Sequence, residues 1–351
     1  MNLNLNIPIN LTGYGLASTN ILSSLIKVGA NVSLFPIGQH IEADYKHHNN
    51  IKLAINNAQE FDYNAPTVRI FHQFSMAESI GKGKRIGYPF FELDKFNSLE
   101  KHHLSSLDTI LSASSWAASI IKNEIGVDSP VVPLGVDTEI FKPSEFVQNN
   151  TTVFISVGKF EKRKHEPILE AFNLAFKDND NVALWMMCDN IVKPDENIIW
   201  EKKYKSSPLA NKIQFIHRQS SHEGVYNVMK YAHFGLFPSK AEGWNLEALE
   251  MMAIGRYNII TNYSAHTEFC TDENSYLIDG DGLEPANDGI WFHGQGNWLK
   301  TGPDFIQRLS KIMRECYIKH QDKEDIFNYE GVKTANKFTW DNTARELLKY
   351  M

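Results

Sequence analysis

Two glutamates separated by seven residues form the most specific chemical pattern in the sequence. Glu242 and Glu250 flank the stretch GWNLEAL, which follows an apolar run and precedes MMAIG. If a helix begins near Asn245, Glu242 lies in the loop before it, and Glu250 projects from the helix body two turns later. Glu242 could then accept hydrogen bonds from sugar hydroxyls, and Glu250 could accept those of a ribose diol. Between them, the backbone N–H groups of the helix start suit a diphosphate.

The alternative for this stretch is a surface helix with ordinary acidic residues in its first turns, which the helix dipole favours. A second charged run, GKFEKRK, begins at Gly158 directly after the apolar segment 153–157. Its Lys159 and Lys164 could hold phosphate oxygens as point charges. The competing interpretation of this run is a solvated basic turn.

Short apolar runs alternate with helical segments and would position these residues. A strand-like start leads through a glycine loop (TGYG) into a segment with helical spacing, which predicts a βαβ beginning and a parallel sheet. The polar stretch 144–151 suits a linker. We therefore predict an acceptor-side domain over residues 1–147, a nucleotide-binding domain over 148–337 and a closing helix over 338–351. The predicted strands are 68–71, 109–112, 130–133, 153–157, 182–187, 213–216, 233–238 and 257–261.

Four segments resemble glycosyltransferase family 4. EGWNLEALE resembles that family's signature EGFGLPxLEAMAxG, with Trp244 at the aromatic position, Asn245 in place of Gly and Glu247 in place of Pro. PLGVDTEIFKP is similar to PNGVDxxxFxP, GKFEKRK to GRLxxEKG, and FTW before the last helix to the closing segment. The resemblance implies an α/β protein of the GT-B fold, with two Rossmann-like domains whose parallel sheets face each other across a cleft. It also implies that the last helix crosses back to the first domain.

The resemblance assigns roles to individual residues. It implies catalytic roles for His72, Glu242 and Lys164. Without it, His72 would be a structural histidine and the glycine loop a tight turn. Less closely matched are His266 and Glu268, which would line the donor pocket or fix a loop. The implied donor-binding residues are Gly13, Tyr14, Gly15, Gly158, Lys159, Lys164, Arg218, Trp244, Asn245, Leu246 and Glu250.

The activity implied is transfer, with retention, of a sugar from a UDP- or GDP-type nucleotide sugar to an acceptor hydroxyl. No cofactor and no metal are expected, because basic side chains and a helix terminus would neutralise the departing diphosphate. The stretches DND (178–180) and DGDG (279–282) imitate metal motifs, but the first is typical of a turn and the second lacks the final Glu of a calcium loop. A sugar-nucleotide epimerase, a phosphorylase and a non-catalytic binding protein remain alternatives.

The acceptor is left open among a glycan, a lipid, a protein and modified DNA. HQFSMAES, GYPFFELDKF and TNYSAHTEF resemble glycosyltransferases encoded by tailed phages, some of which modify hydroxymethylated bases. The basic run 82–85 beside Tyr88, Phe90 and Phe91 could contact phosphates and a flipped base. The alternative is a charged loop over a packed aromatic core.

Composition narrows the class of protein. The net charge of −7 argues against a surface that binds nucleic acid as a whole. Three cysteines without metal-ligand spacing argue against a disulfide framework or a zinc site. No apolar run reaches the length of a membrane span, and the start lacks the pattern of a leader. We expect a cytoplasmic protein, in a bacterial cell or a phage-infected host.

Overall fold

In the computed structural model, the described residues are 1–38, 41–147 and 149–351. The chain divides into two compact units. The first consists of Met1–Asp137 together with Lys337–Met351, and the second is Thr138–Asn336. Each unit contains its own parallel sheet.

The first unit has a five-stranded sheet in the order β2-β1-β3-β4-β5, with every pair parallel. Asn4 and Asn6, which alternate with leucines in the first strand, are buried too, because their side-chain amides donate to backbone carbonyls, Asn4 to Asp62 and Asn6 to Phe35. The elements are β1 (Asn2–Pro8), α1 (Gly13–Lys27), β2 (Asn31–Ile37), α2 (His48–Asn57), β3 (Thr67–Arg69), β4 (Arg85–Gly87), α3 (Ser98–Ser105), β5 (Thr109–Ile110), α4 (Ser115–Ile125) and, from the chain end, α12 (Trp340–Leu348).

The second unit has a six-stranded parallel sheet in the order β11-β10-β9-β6-β7-β8, and its apolar core includes Phe154, Phe172 and Phe234. Burying each of these rings stabilises the unit by about 2 kcal/mol. The elements are β6 (Thr152–Val157), α5 (Lys162–His165), α6 (Ile168–Ala175), β7 (Val182–Met187), α7 (Pro194–Lys205), β8 (Ile213–Phe215), α8 (His222–Met229), β9 (Phe234–Phe237), α9 (Leu246–Ala253), β10 (Tyr257–Thr261), β11 (Ser275–Ile278), the antiparallel pair β12 (Leu283–Asn287) and β13 (His293–Leu299), α10 (Pro303–Gln321) and α11 (Tyr329–Ala335).

The predicted strands of the second unit are confirmed, whereas the first unit differs in detail. Residues 130–133 form only one isolated bridge, between Val131 and Ser112. Prolines stand at both ends of that run and have no N–H to donate to a ladder. The sequence analysis missed β4, which has three residues, and it missed β11 and the pair β12–β13.

The division between the units falls after Asp137, earlier than the predicted boundary after residue 147. Residues 138–147 belong with the second unit because Arg256 holds them. Its guanidinium donates to the carbonyl of Ser144 (2.6 Å) and lies 3.9 Å from the centroid of the Phe146 ring. The polar composition from residue 144 onward predicted a linker, but Ser144 and Phe146 are anchored to the second unit.

The closing helix α12 packs against α1 within the first unit. Asp341 pairs with Lys27 at 2.7 Å, and the Thr343 hydroxyl donates to the carbonyl of Pro133 at 2.8 Å. A side chain on Gly135 would lie 2.3 Å from the backbone of Thr339, so only glycine allows this approach.

A buried histidine makes the stability of the second unit depend on pH. Burial lowers the pKa of His233 to about 3, and His320 and Arg256 act in the same direction. Its Nδ1 accepts a hydrogen bond from the N–H of Val153 at 3.0 Å, so the ring is neutral when folded. An unfolded histidine titrates near pH 6.5. Between about pH 6.5 and 3 only the unfolded chain therefore takes up this proton, and stability falls as the pH is lowered.

We predict that His233→Asn reduces this acid sensitivity, because Asn Oδ1 can accept the same hydrogen bond without titrating. Urea unfolding at pH 7 and pH 5 measures the effect. The loss of unfolding free energy between these pH values should be about 2 kcal/mol smaller in the variant than in the natural protein. Equal losses in the two proteins would contradict the assignment.

Candidate functional site

The sheet of the second unit has one point where strand order reverses. β6 lies between β7 and β9, so the chain builds outward from β6 in one direction and from β9 in the other. Ligands of such sheets bind outside the carboxyl ends of the strands at this switch point. The loop that follows β6 begins at Gly158, and the loop that follows β9 carries Glu242. Two distant stretches of sequence therefore meet there.

Glu242 joins the two loops through buried ion pairs. Its side chain, only 6% exposed, lies 2.8 Å from Arg163 Nη1 and 3.4 Å from Lys164 Nζ. Arg163 also contacts Glu161 Oε2 at 3.0 Å, and Lys159 contacts Glu161 Oε1 at 2.7 Å. We call these five residues the charged cluster. It contains three cations and two carboxylates, which leaves one excess positive charge.

The members of the charged cluster keep one another ionised. Burial alone raises the pKa of Glu242, but the charges of Arg163 and Lys164 outweigh it and hold that pKa well below its usual range. Burial likewise lowers the pKa of Lys164, whereas Glu242 and Glu247 raise it, and the net change is upward. The Lys164 ammonium is thus charged throughout the physiological range. Its side chain is 14% exposed, so it still reaches solvent.

Gly158 provides an opening beside this ammonium. Its φ of +117° lies in the region that favours glycine, and a Cβ built on it would lie 3.2 Å from Lys164 Nζ. Gly158 and Lys164, which were both predicted to bind phosphate, therefore lie next to each other in the structure. Lys159 follows Gly158 directly and belongs to the same cluster through Glu161.

Backbone contacts fix the loop that carries Glu242. Its N–H donates to Ser264 Oγ at 2.8 Å, and Arg163 donates to the carbonyl of the preceding Ala241. The N–H of Lys240 donates to the carbonyl of Arg163 at 2.9 Å. The loops after β6, β9 and β10 are thus connected independently of any ligand.

Asn245 starts helix α9, as the sequence predicts. Its φ of +88° lies in the left-handed region, which glycine and asparagine tolerate best, so Asn can stand where the resembled motif has Gly. Asn245 Oδ1 accepts from the N–H of Ala248 and caps the helix. Its Nδ2 donates to His266 Nε2 at 3.0 Å.

His266 fixes a loop in the folded protein. It is fully buried, its Nδ1 donates to the carbonyl of Thr261 at 3.1 Å, and its Nε2 accepts from Asn245. Burial lowers its pKa to about 4 despite the nearby charge of Glu242, so the ring is neutral at pH 7. This geometry favours the loop-fixing alternative of the sequence analysis over a ligand contact.

The other predicted donor residues of the second unit lie just before α9, on α9 and in the loop after β8. Trp244 is buried, with its ring 5.0 Å from that of Phe269, and so is part of the core. Arg218 follows β8, which β7 separates from β6, so that loop begins roughly 10 Å away. Glu250 is buried on α9, and Leu246, the first residue of that helix, is half-buried.

The sequence analysis missed Arg163 and Glu161 as site residues. Both stand within the run GKFEKRK, whose motif comparison drew attention to the outer lysines only. A run of mixed charge directly after a parallel strand is the signal that could have identified them. His165, which stands where the resembled motif has Gly, is buried with Nε2 3.3 Å from Cys188 Sγ, and burial lowers its pKa to about 3. Its role is therefore structural.

The first unit has a switch point of its own, since β1 lies between β2 and β3. Tyr14 follows β1 and His72 follows β3, and their rings lie 4.5 Å apart. The Tyr14 hydroxyl donates to the carbonyl of Phe90. A Cβ on Gly15 would lie 2.1 Å from the Asn10 carbonyl oxygen, so this glycine is required by packing, whereas Gly13 has open space around it.

The basic run 82–85 makes contacts within the first unit. It precedes β4 and so lies at the amino end of that strand, away from the ligand edge. Lys84 donates to the carbonyl of Tyr350 at 2.7 Å, and Arg85 pairs with Asp108. The adjacent aromatic residues are buried in the core, which corresponds to the packed-core alternative: Tyr88, Phe90 and Phe91.

The part of the chain that the structure describes contains neither a membrane-spanning helix nor a metal-binding group. Within residues 1–38, 41–147 and 149–351, no helix combines the length and the apolarity needed to cross a bilayer. The same residues contain no group of three or more His, Cys, Asp or Glu side chains arranged to hold a metal ion. The acidic stretch at 178–180 serves protein contacts instead, since Asp180 pairs with Arg314 at 2.8 Å.

A segment of the second unit is similar to a known protein family. Residues 137–290 match the family described as Glycosyl transferases group 1, and this range contains the whole charged cluster. The match spans less than half of the chain and falls almost wholly within the second unit. The MMP alpha-(1->4)-mannosyltransferase of Mycolicibacterium hassiacum is 28% identical over 165 residues. That alignment spans 46% of this chain and 38% of the relative.

Solved structures match both units. Sucrose-phosphate synthase from Thermosynechococcus elongatus superposes with a TM-score of 0.71 at 12% identity and covers 100% of this chain and 98% of its own. Anabaena HepE in complex with UDP-glucose gives a TM-score of 0.71 at 12% identity, with coverage of 99% and 98%. Identities this low establish the fold alone, which is the GT-B fold of glycosyltransferases.

The left-handed backbone at Asn245 generates a prediction about stability. Asn245→Gly keeps the favourable φ but loses the cap and the hydrogen bond to His266 Nε2, so it should cost about 1 to 2 kcal/mol. Asn245→Ala loses the same two interactions and also places an ordinary side chain at φ +88°, so it should cost about 1 to 2 kcal/mol more. Chemical unfolding of the two variants measures the difference. Equal stability of the two variants would contradict this account of the motif.

Proposed function

We propose that the chain is a retaining glycosyltransferase that moves a sugar from a nucleoside diphosphate sugar to an acceptor hydroxyl. The observation that carries the proposal is the Lys164 ammonium at the switch point, held charged beside the opening at Gly158. A group 1 glycosyltransferase domain encloses both residues. Lys164 would hold the diphosphate of the donor.

Neutralisation of the leaving group is the main catalytic task that this site could perform. When the bond between the sugar and the diphosphate breaks, negative charge develops on the terminal phosphate. A fixed ammonium in a poorly hydrated site stabilises that charge, and it needs no rearrangement during the reaction. The pairing with Glu242, which keeps the Lys164 ammonium charged, supports this role.

The donor is proposed to be a UDP- or GDP-type sugar. HepE, whose structure contains UDP-glucose, has the same fold, which supports a UDP-type donor. The similarity to a mannosyltransferase supports a hexose as the transferred group. A panel of nucleotide sugars would identify the donor directly.

Glu242 fits a positioning role better than direct attack on the sugar. Its two oxygens face Arg163 and Lys164, and this pairing reduces their nucleophilicity. We therefore favour transfer on one face of the sugar, in which the acceptor oxygen bonds to the anomeric carbon as the bond to phosphate breaks. The proton of the acceptor hydroxyl would pass to the departing phosphate oxygen. The configuration at the anomeric carbon is then retained.

The acceptor is proposed to bind at the switch point of the first unit. His72 and Tyr14 come together there from separate loops, and the His72 ring stacks on Phe74 at 5.0 Å with an interplanar angle of 5°. An exposed aromatic face of this kind suits the ring of a sugar or another cyclic acceptor. The acceptor's wider identity, as a glycan, lipid, protein or modified DNA, is a question for product analysis.

Replacing Lys164 tests the proposed function. We expect Lys164→Met to lower the rate of sugar transfer by about 100-fold or more, because the departing phosphate loses its fixed positive charge. Lys164→Arg should retain part of the activity. Lys162→Met is the matched control, since Lys162 stands in the same run but is exposed and pairs only loosely with Glu166 (3.9 Å).

The measurement is product formation from a panel of UDP- and GDP-sugars, together with the thermal shift that each causes. Full activity of Lys164→Met, or equal losses in Lys164→Met and Lys162→Met, would reject the role of Lys164. Retention would be checked from the anomeric configuration of the product.

A further inference from the structure

Glu247 faces the same opening as Lys164. It is the second residue of α9 and is half-buried, and its Oε1 lies 3.4 Å from the position that a Cβ on Gly158 would occupy. Lys164 Nζ lies 3.2 Å from that same position. A carboxylate and an ammonium therefore approach one small space from two helices, α9 and α5.

The Glu247 carboxylate has no structural task that explains its presence. Across the described residues 1–38, 41–147 and 149–351, no hydrogen bond or ion pair of this carboxylate is found. In the resembled motif this position is an uncharged Pro. Beyond its effect on the pKa of Lys164, Glu247 contributes only what any acidic residue in the first turn of a helix contributes, a small interaction with the helix dipole.

The negative charge of Glu247 nevertheless changes the net charge of the site. The charged cluster has one excess positive charge, and Glu247 cancels it. An anion that binds beside Gly158 and Lys164 therefore meets a like charge in a site with little water to screen it. The repulsion grows with the negative charge of the anion.

The donor and the product differ in the negative charge of the terminal phosphate. In a nucleoside diphosphate sugar, the terminal phosphate is esterified and carries one negative charge. After the bond to the sugar breaks, the terminal phosphate can carry a second charge, because its last pKa lies near 6. A carboxylate beside this phosphate weakens binding of the product more than binding of the donor.

We propose that Glu247 selectively weakens the binding of the nucleoside diphosphate and thereby speeds its release after sugar transfer. This inference rests on the proposed function. Release of product limits turnover in many enzymes, so a residue that destabilises the bound product raises the turnover rate.

The test compares Glu247→Gln with the natural protein by calorimetric titration of UDP, GDP and the sugar nucleotide that the panel identifies. We expect the Kd for the nucleoside diphosphate to fall about tenfold, and the Kd for the sugar nucleotide to fall less. Turnover should decrease as release slows, and added nucleoside diphosphate should inhibit the variant more strongly.

Glu223→Gln is the matched control. Glu223 is also the second residue of a helix, α8, and it is exposed, so the substitution removes the same dipole interaction elsewhere. Its Kd values should equal those of the natural protein. Unchanged or weaker nucleoside diphosphate binding by Glu247→Gln would overturn this inference and leave the proposed function intact. Failure of the natural protein to bind any nucleoside diphosphate or sugar nucleotide would overturn both.

Discussion

The ion pairs of Glu242 with Arg163 and Lys164 are the interaction on which the rest of the site depends. They connect the loop after β6 with the loop after β9, at the one place where the strand order of the second sheet reverses. Buried charges are costly unless they are paired and hydrogen-bonded. The pairing of Arg163 with Glu161 as well as with Glu242 meets that requirement. The result is a preformed cation with a glycine opening beside it.

This arrangement separates two tasks that the sequence pattern had combined. The signature of two glutamates predicts that both touch the ligand, and in the structure Glu242 pairs with the basic side chains of Arg163 and Lys164. We propose that Lys164, whose side chain is 14% exposed, remains available to an anion. The hydrogen bond between Asn245 and His266 stabilises the start of α9. The surrounding residues thus determine where the positive charge lies.

Much of the fold could be predicted because parallel strands buried on both faces read as short apolar runs. Strands β6 to β10 of the second unit were predicted in this way, whereas β11 to β13 were missed. The helix start near Asn245 was predicted from the spacing of the two glutamates, and Gly158 and Lys164 were predicted from the charged run and its motif resemblance. Contacts that depend on tertiary geometry could not be predicted. Neither the anchoring of residues 138–147 by Arg256 nor the buried position of Trp244 has a periodic signal. The roles of Arg163 and Glu161 required knowing which loops meet.

The most direct test of the central claim is a crystal structure of the protein with a bound nucleoside diphosphate sugar. The account predicts that the diphosphate lies next to Gly158, with a phosphate oxygen within hydrogen-bond distance of Lys164 Nζ. It also predicts that Glu242 keeps its contacts with Arg163 and Lys164. A diphosphate bound away from the switch point of the second unit, with Lys164 still paired only to glutamate, would contradict the account.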